Sequence, residues 1–146
     1  MKVQLRYLAL ARSGDKADAA DISLFAPDAG TYEFLAEAVT AERVAQHFRP
    51  LASGPVERYL VPGLQALKFV VHGALNGGAS RSLRSDNLGK AMGSALLRLE
   101  VEVADPARVT LVPTLDGQLP PGWPDGSVAA AGGGGGADAT PGGARP

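Results

Sequence analysis

Apolar residues recur at every second position over 2–11, with Val3, Leu5, Tyr7 and Ala9 on one side, which predicts a strand with one buried face. Residues 19–26 repeat the pattern through Ile22, Leu24 and Ala26. The period then lengthens. Tyr32, Leu35, Ala36 and Val39 share one side at helical spacing and predict a helix over 31–39. Thr40 is suited to cap a further turn or two, with Glu42 near the positive end, Val44, Ala45 and Phe48 as the apolar stripe, and Pro50 as the stop. Residues 56–61 and 66–72 read as strands joined by a turn around Pro62-Gly63. Asp86 is a good N-cap for a helix over 87–95, whose small edge at Gly89 and Gly93 lets it lie close to a sheet. Residues 96–103 alternate again, with Leu97, Leu99, Val101 and Val103 set against Arg98, Glu100 and Glu102, and 108–112 offers a short, weaker strand.

The order is β-β-α-β-β-α-β. Without its first strand it is βαββαβ, so the expected fold is α+β: a ferredoxin-like sandwich with an extra N-terminal strand and an antiparallel sheet covered on one face by helices. In that fold the strand at 19–26 lies antiparallel beside the strand at 66–72. A hairpin between the first strand and 19–26 would displace the last strand. From Pro113 onward the chain is mainly Gly, Pro, Ala and Asp, with Gly132 to Gly136 in a row. So poor in apolar groups, it is expected to form a disordered tail over 113–146 behind a domain at 1–112, with docking of Trp123 as the alternative.

Composition narrows the function. A net charge of −1 exerts no general pull on nucleic acid or an anionic membrane. The absence of cysteine removes disulfides, thiolate metal sites and a thiol nucleophile. No apolar run is long enough to span a bilayer, and Lys2 and Arg6 interrupt the first apolar stretch as a signal peptide would not allow. A cytoplasmic protein is expected, with no cofactor.

Two polar, glycine-punctuated segments carry the candidate chemistry. The first spans Arg12-Ser13-Gly14-Asp15-Lys16-Ala17-Asp18; the second runs from Gly73 through Gly77-Gly78, Ser80-Arg81-Ser82, Arg84 and Asp86 to Lys90. One leads into the strand at 19–26 and the other leaves the strand at 66–72, so the fold brings both to one end of neighbouring strands. Ser13, Gly14, Lys16, Gly77, Gly78, Ser80, Arg81, Ser82, Arg84 and Lys90 are therefore the candidate ligand-binding residues. The second segment ends at a helix start, where free N–H groups carry about half a positive charge. With its arginines and lysines it suits a phosphate or carboxylate. The alternative is purely structural: glycines that shape a turn, an aspartate that caps, arginines in solvent. Asp15, Lys16 and His72 are the candidate reactive groups, His72 because it alternates with Lys68 and Val70, opposite Leu67, Phe69 and Val71. His47 and His72 without a matched acidic cluster make no metal site. Neither G-x-x-x-x-G-K-[ST], G-x-G-x-x-G nor G-x-S-x-G occurs.

Several runs in order resemble the AtuA-related small proteins: Ala11-Arg12-Ser13-Gly14-Asp15-Lys16, Thr40-Ala41-Glu42-Arg43-Val44, Val56-Glu57-Arg58-Tyr59, His72-Gly73-Ala74-Leu75 through Gly77-Gly78, Ser82-Leu83-Arg84, Asp86, Gly89-Lys90 and Leu96-Leu97. That family also forms the C-terminal ferredoxin-fold domain of larger acyclic terpene utilisation proteins. The resemblance covers about residues 3–103. It implies the same fold and a link to bacterial breakdown of branched terpenoid acids as coenzyme A thioesters. The chain departs from the family pattern at Ala17, where glycine is usual, and at Asp21 and Lys68, where asparagine is usual. Three readings follow. One is a non-catalytic partner of a larger AtuA-type subunit. A second is an enzyme, or part of a shared active site, acting on an acyl-CoA or carboxylate. The third is a homo-oligomer packed through an open sheet face.

Overall fold

A computed structural model describes residues 1–16, 18–49, 52, 54–74 and 85–124, with Lys16 and residues 85–90 described by their backbone alone. Among the described residues, six strands and three α-helices follow one another as β1 (Lys2–Gln4), β2 (Leu10–Lys16), β3 (Ala19–Phe25), α1 (Ala29–Ala38), α2 (Ala41–His47), β4 (Val56–Val61), β5 (Ala66–His72), α3 (Ser85–Leu96) and β6 (Glu100–Glu102). The main sheet has the order β2-β3-β5-β4, antiparallel throughout, and β1 pairs with β6 in a separate ribbon. The expected central pairing is present: Ala19 stands opposite His72, Ile22 opposite Phe69 and Phe25 opposite Ala66.

The N-terminal half of the hairpin departs from the expectation. The single strand foreseen at 2–11 is broken by a 3-10 turn at Leu5–Tyr7. Residues 12–16, foreseen as a loop, are strand, paired with β3 from Leu10↔Phe25 to Lys16↔Ala19. The polar residues are tolerated because β2 is an edge strand, and a tight connection after Lys16 brings β3 straight back alongside. This local hairpin fills the place beside β3 that the last strand takes in a plain βαββαβ sheet. β6 is displaced onto β1, with Val3 opposite Val101, and is shorter than the foreseen 96–103 because α3 runs to Leu96. Leu5 and Arg6 extend the ribbon by donating their N–H groups to the carbonyls of Leu99 and Leu97, both at 2.9 Å.

The helices and the ribbon lie on one face of the main sheet and enclose the core. From the sheet come Ile22, Leu24, Leu67, Phe69 and Val71; Leu35, Phe48, Met92 and Leu96 come from the other layer, with Leu5 and Val101 from the ribbon. Each such side chain contributes roughly 1.5–3 kcal/mol on leaving water. Arg58 breaks the apolar pattern on β4 for a local reason. Its Nη1 donates to the carbonyls of Ala36 (2.6 Å) and Val39 (3.0 Å), closing the end of α1, where helical carbonyls lack partners. Thr40 caps α2 as expected, accepting from Arg43 N–H at 3.1 Å. Asp86, expected as an N-cap, falls inside the first turn of α3. Asp28 caps α1, and no sequence expectation singled it out.

The foreseen strand at 108–112 is a 3-10 turn at Pro106–Arg108 followed by extended chain, in which Val112 N–H bonds the Tyr7 carbonyl. The following stretch, expected as the start of a disordered tail, carries Trp123 into the core at 6% exposure. Packing therefore continues past the expected boundary at 112; residues 125–146 lie outside the described residues.

Candidate functional site

Strand alternation sorts the main sheet into two faces. Ala20, Ile22, Leu24, Leu67, Phe69 and Val71 face the helices and are buried. The other face is read in four rows across β2, β3, β5 and β4 from the pairing register. At one end stand position 16, Ala19 and His72. Next come Gly14, Asp21, Val70 and Glu57; then Arg12, Ser23, Lys68 and Tyr59. At the far end the row is wholly apolar: Leu10, Phe25, Ala66 and Val61. No described helix lies across this face, and Leu10 is 60% exposed and Tyr59 49%.

The polar rows form two linked clusters. Lys68 Nζ lies 3.2 Å from Asp21 Oδ2, an ion pair that joins β3 and β5 across the face. Glu57 and Tyr59, two apart on β4, share the face, and the Tyr59 hydroxyl donates to Glu57 Oε1 at 2.8 Å. His72 Nε2 lies 3.5 Å from the same oxygen. The Tyr59 hydroxyl first, and then His72, hold the Glu57 carboxyl below its ordinary range; the carboxylate in turn pushes the Tyr59 phenol upward. Two shallow clefts open here. One, about 320 Å³, runs around Arg12, Gly14, Asp21, Ser23 and Phe25 and over the β2 edge to Ser13 and Asp15; the other, about 420 Å³, is lined by Glu57, Tyr59, Lys68 and Val70.

The backbone brings three strand ends that border the two polar segments into one row. Position 16, where β2 ends, Ala19, where β3 begins, and His72, where β5 ends, form a single row, and Gly73 turns away from it at φ 72°. Close packing fixes His72. Gly54 N–H bonds its carbonyl at 3.1 Å, and a Cβ on Gly54 would stand 2.6 Å from that oxygen. Gly77, Gly78, Ser80, Arg81, Ser82 and Arg84 lie outside the described residues, and Lys90 is described only as backbone on α3.

The foreseen reactive groups are divided between faces. Asp15 stands opposite Ala20, on the helix side, whereas His72 is on the open side. Ser13 also turns inward, where its Oγ accepts from Gly93 N–H at 3.2 Å. A Cβ on Gly93 would lie 2.7 Å from that oxygen, so the foreseen small edge of α3 is where the helix meets β2. The sequence reading missed the Glu57–Tyr59–His72 cluster. The i, i+2 spacing of Glu57 and Tyr59 was visible; their juxtaposition to His72 required the β4–β5 register. Among the described residues no group of three or more His, Cys, Asp or Glu converges to hold a metal ion.

Antiparallel order, paired strands 19–25 and 66–72 and helices on one side define a ferredoxin-like sheet, and residues 3–102 match the family described as AtuA ferredoxin-like domain. The chain belongs to that family. Neither the curated proteins nor the solved structures offered a match. The match ends at β6, so the packed segment around Trp123 is an addition to the matched AtuA ferredoxin-like domain. No helix among the described residues is long and apolar enough to cross a membrane.

Proposed function

We propose that this AtuA ferredoxin-like domain is a non-catalytic accessory module in bacterial acyl-CoA catabolism of acyclic terpenoids or branched acids. It docks on a larger AtuA-type subunit through the sheet end at which β2, β3 and β5 meet. The observation that carries this reading is the row of position 16, Ala19 and His72, into which the first polar segment runs as the end of β2 and from which the second departs. Lys16, Arg81 and Arg84 supply positive charge to that rim, matched to an anionic group of the partner or to the phosphates of an acyl-CoA. The separation of Asp15 and His72 onto opposite faces favours binding over acid–base catalysis by these groups.

Co-expression with an AtuA-type subunit that lacks this module tests the proposal. The tagged chain retains the subunit, and Lys16→Glu with Arg81→Glu and Arg84→Glu abolishes retention. Equal retention by the variant overturns the docking site. In parallel, coenzyme A raises the melting temperature of the isolated chain. A shift unchanged by Lys16→Ala and Arg81→Ala would remove the anion from the rim.

A further inference from the structure

We infer that the open face of the main sheet is an interface between two copies of this chain, related by a two-fold axis that lies between the faces and runs along the strands. Such an axis places β2 of one copy over β4 of the other and β3 over β5, and it keeps every row facing its own row.

The rows are self-complementary in this arrangement. Leu10 and Phe25 come to lie over Val61 and Ala66, so the apolar row is covered by itself; its exposed Leu10 is otherwise an isolated large apolar group in water. Arg12 comes over Tyr59, beside Glu57. The guanidinium of Arg12 is exposed and has no ion pair or side-chain hydrogen bond among the described residues. A phenol ring beside a carboxylate is the environment it fits, by stacking and by charge. Gly14, without a side chain, comes over Glu57 and leaves it room. The Asp21–Lys68 pair of each copy flanks the axis, with the two carboxylates in one row and the two ammonium groups in the next, each charge keeping its partner within its own copy. The cleft at Arg12 faces the cleft at Glu57 and Tyr59. The other alignment, an axis across the strands, sets the apolar row against the row of position 16 and His72 and loses these matches.

Size sets the strength. Four strands about 4.8 Å apart and seven residues at about 3.3 Å give a footprint of roughly 450 Å² per copy. Side-chain relief adds to this, yet the area stays near the lower end of specific interfaces, about 800 Å² per partner being standard. The expected dimer is an equilibrium one, dissociating on the order of micromolar concentrations. Its surface meets the rim only at the end row of position 16, Ala19 and His72, and the variants that test it lie in the other rows, so either proposal can fail while the other stands.

Sedimentation velocity of the full chain over a wide concentration range is the test. The chain of 14.9 kDa passes to twice that mass as concentration rises. Arg12→Glu and Glu57→Arg each weaken dimerisation at least tenfold, and the combined Arg12→Glu/Glu57→Arg chain returns to within about threefold of the original, because each altered residue meets its counterpart across the axis. Phe25→Arg abolishes the dimer. Circular dichroism verifies that all variants remain folded. A monomer at every concentration overturns the proposal. So does failure of the double variant to recover when both single variants are impaired. So, finally, does a monomer whose Glu57→Arg variant fails to retain the AtuA-type subunit, since the open face then belongs to that partner.

Discussion

The two faces of the main sheet are built from the same strands, residue by residue in alternation, yet they answer to different physics. On the helix side Ile22, Leu24, Leu67, Phe69 and Val71 are at most 1% exposed. Across the strands from them, Ser23, Lys68, Val70 and His72 sit half-buried in a surface of paired charges. One face holds the fold through close packing that tolerates no missing volume. The other holds little stability and is therefore free to carry recognition, as expected of an antiparallel sheet with one covered side.

The largest effect that tests this contrast compares neighbours on β5. Phe69→Ala removes a ring at 0% exposure and is expected to cost about 3–5 kcal/mol. Val70→Ala, one residue on but facing outward, is expected to change stability by less than about 1 kcal/mol. Urea unfolding of both variants measures the difference, and comparable losses would mean that the open face is covered as tightly as the core.

A smaller effect is expected at the corner where the two faces meet the rim. Gly54 lies against the backbone of His72, and an added methyl would have to displace main-chain atoms, a carbonyl oxygen at 2.6 Å and its carbon at 2.8 Å. Gly54→Ala should cost about 1–3 kcal/mol through overpacking. Gly93→Ala crowds the Ser13 hydroxyl and Cβ and touches the Ala11 Cβ at ordinary contact distance, and the helix propensity gained by alanine, about 1 kcal/mol, offsets part of that clash. The order of the two melting temperatures, Gly54→Ala below Gly93→Ala, is the observable.

A partly buried polar knot around the N-terminus of α1 gives the fold an acid-sensitive element. Burial alone raises the Asp28 carboxyl, but the Thr110 hydroxyl, the Thr31 N–H and the Thr31 hydroxyl together outweigh it and bring the carboxyl below its ordinary value. A folded-state pKa below the unfolded one means stability that is complete above the unfolded value and is lost as pH falls through the folded one. Asp28→Ala should cost about 1–2 kcal/mol at neutral pH, as the loss of an N-cap, and this difference should shrink in acid. Denaturant midpoints measured from neutral pH down to the carboxylate range follow it, and a pH-independent difference would assign the effect to packing.

Legibility in the sequence follows the same division. The helix-side residues announced themselves through period, and the central pairing of 19–25 with 66–72 followed from element order. What the pattern hid was competition for one place beside β3. Polar residues 12–16 read as loop because alternation of apolar groups fails on an edge strand whose inward positions are Ala11, Ser13 and Asp15, the first two small enough to admit α3. Nothing local reports that β6 must therefore leave for β1. Trp123 was hidden differently: a single large side chain in Gly- and Pro-rich sequence has no period, and only the completed core shows the space it occupies. On the open face, the pairing of Glu57 and Tyr59 with His72 depends on register between strands, which composition does not carry.

The smallest effect concerns the ion pair that joins β3 and β5 on the open face. Asp21 and Lys68 are partly exposed, their side chains 25% and 39% accessible, so solvent screens their 3.2 Å contact and the pair is worth on the order of 0.2–1 kcal/mol. Lys68→Asn alone leaves the Asp21 carboxylate without its cation, and Asp21→Asn alone leaves Lys68 without its acid. Replacing both exchanges an ion pair for a pair of amides that can bond to one another across β3 and β5. The double-mutant cycle should therefore show the double variant closer to the parent than the sum of the singles, with a coupling that declines as salt is raised. A coupling of zero at low salt would make the two residues energetically independent, and Lys68 would then stand on the open face for recognition alone.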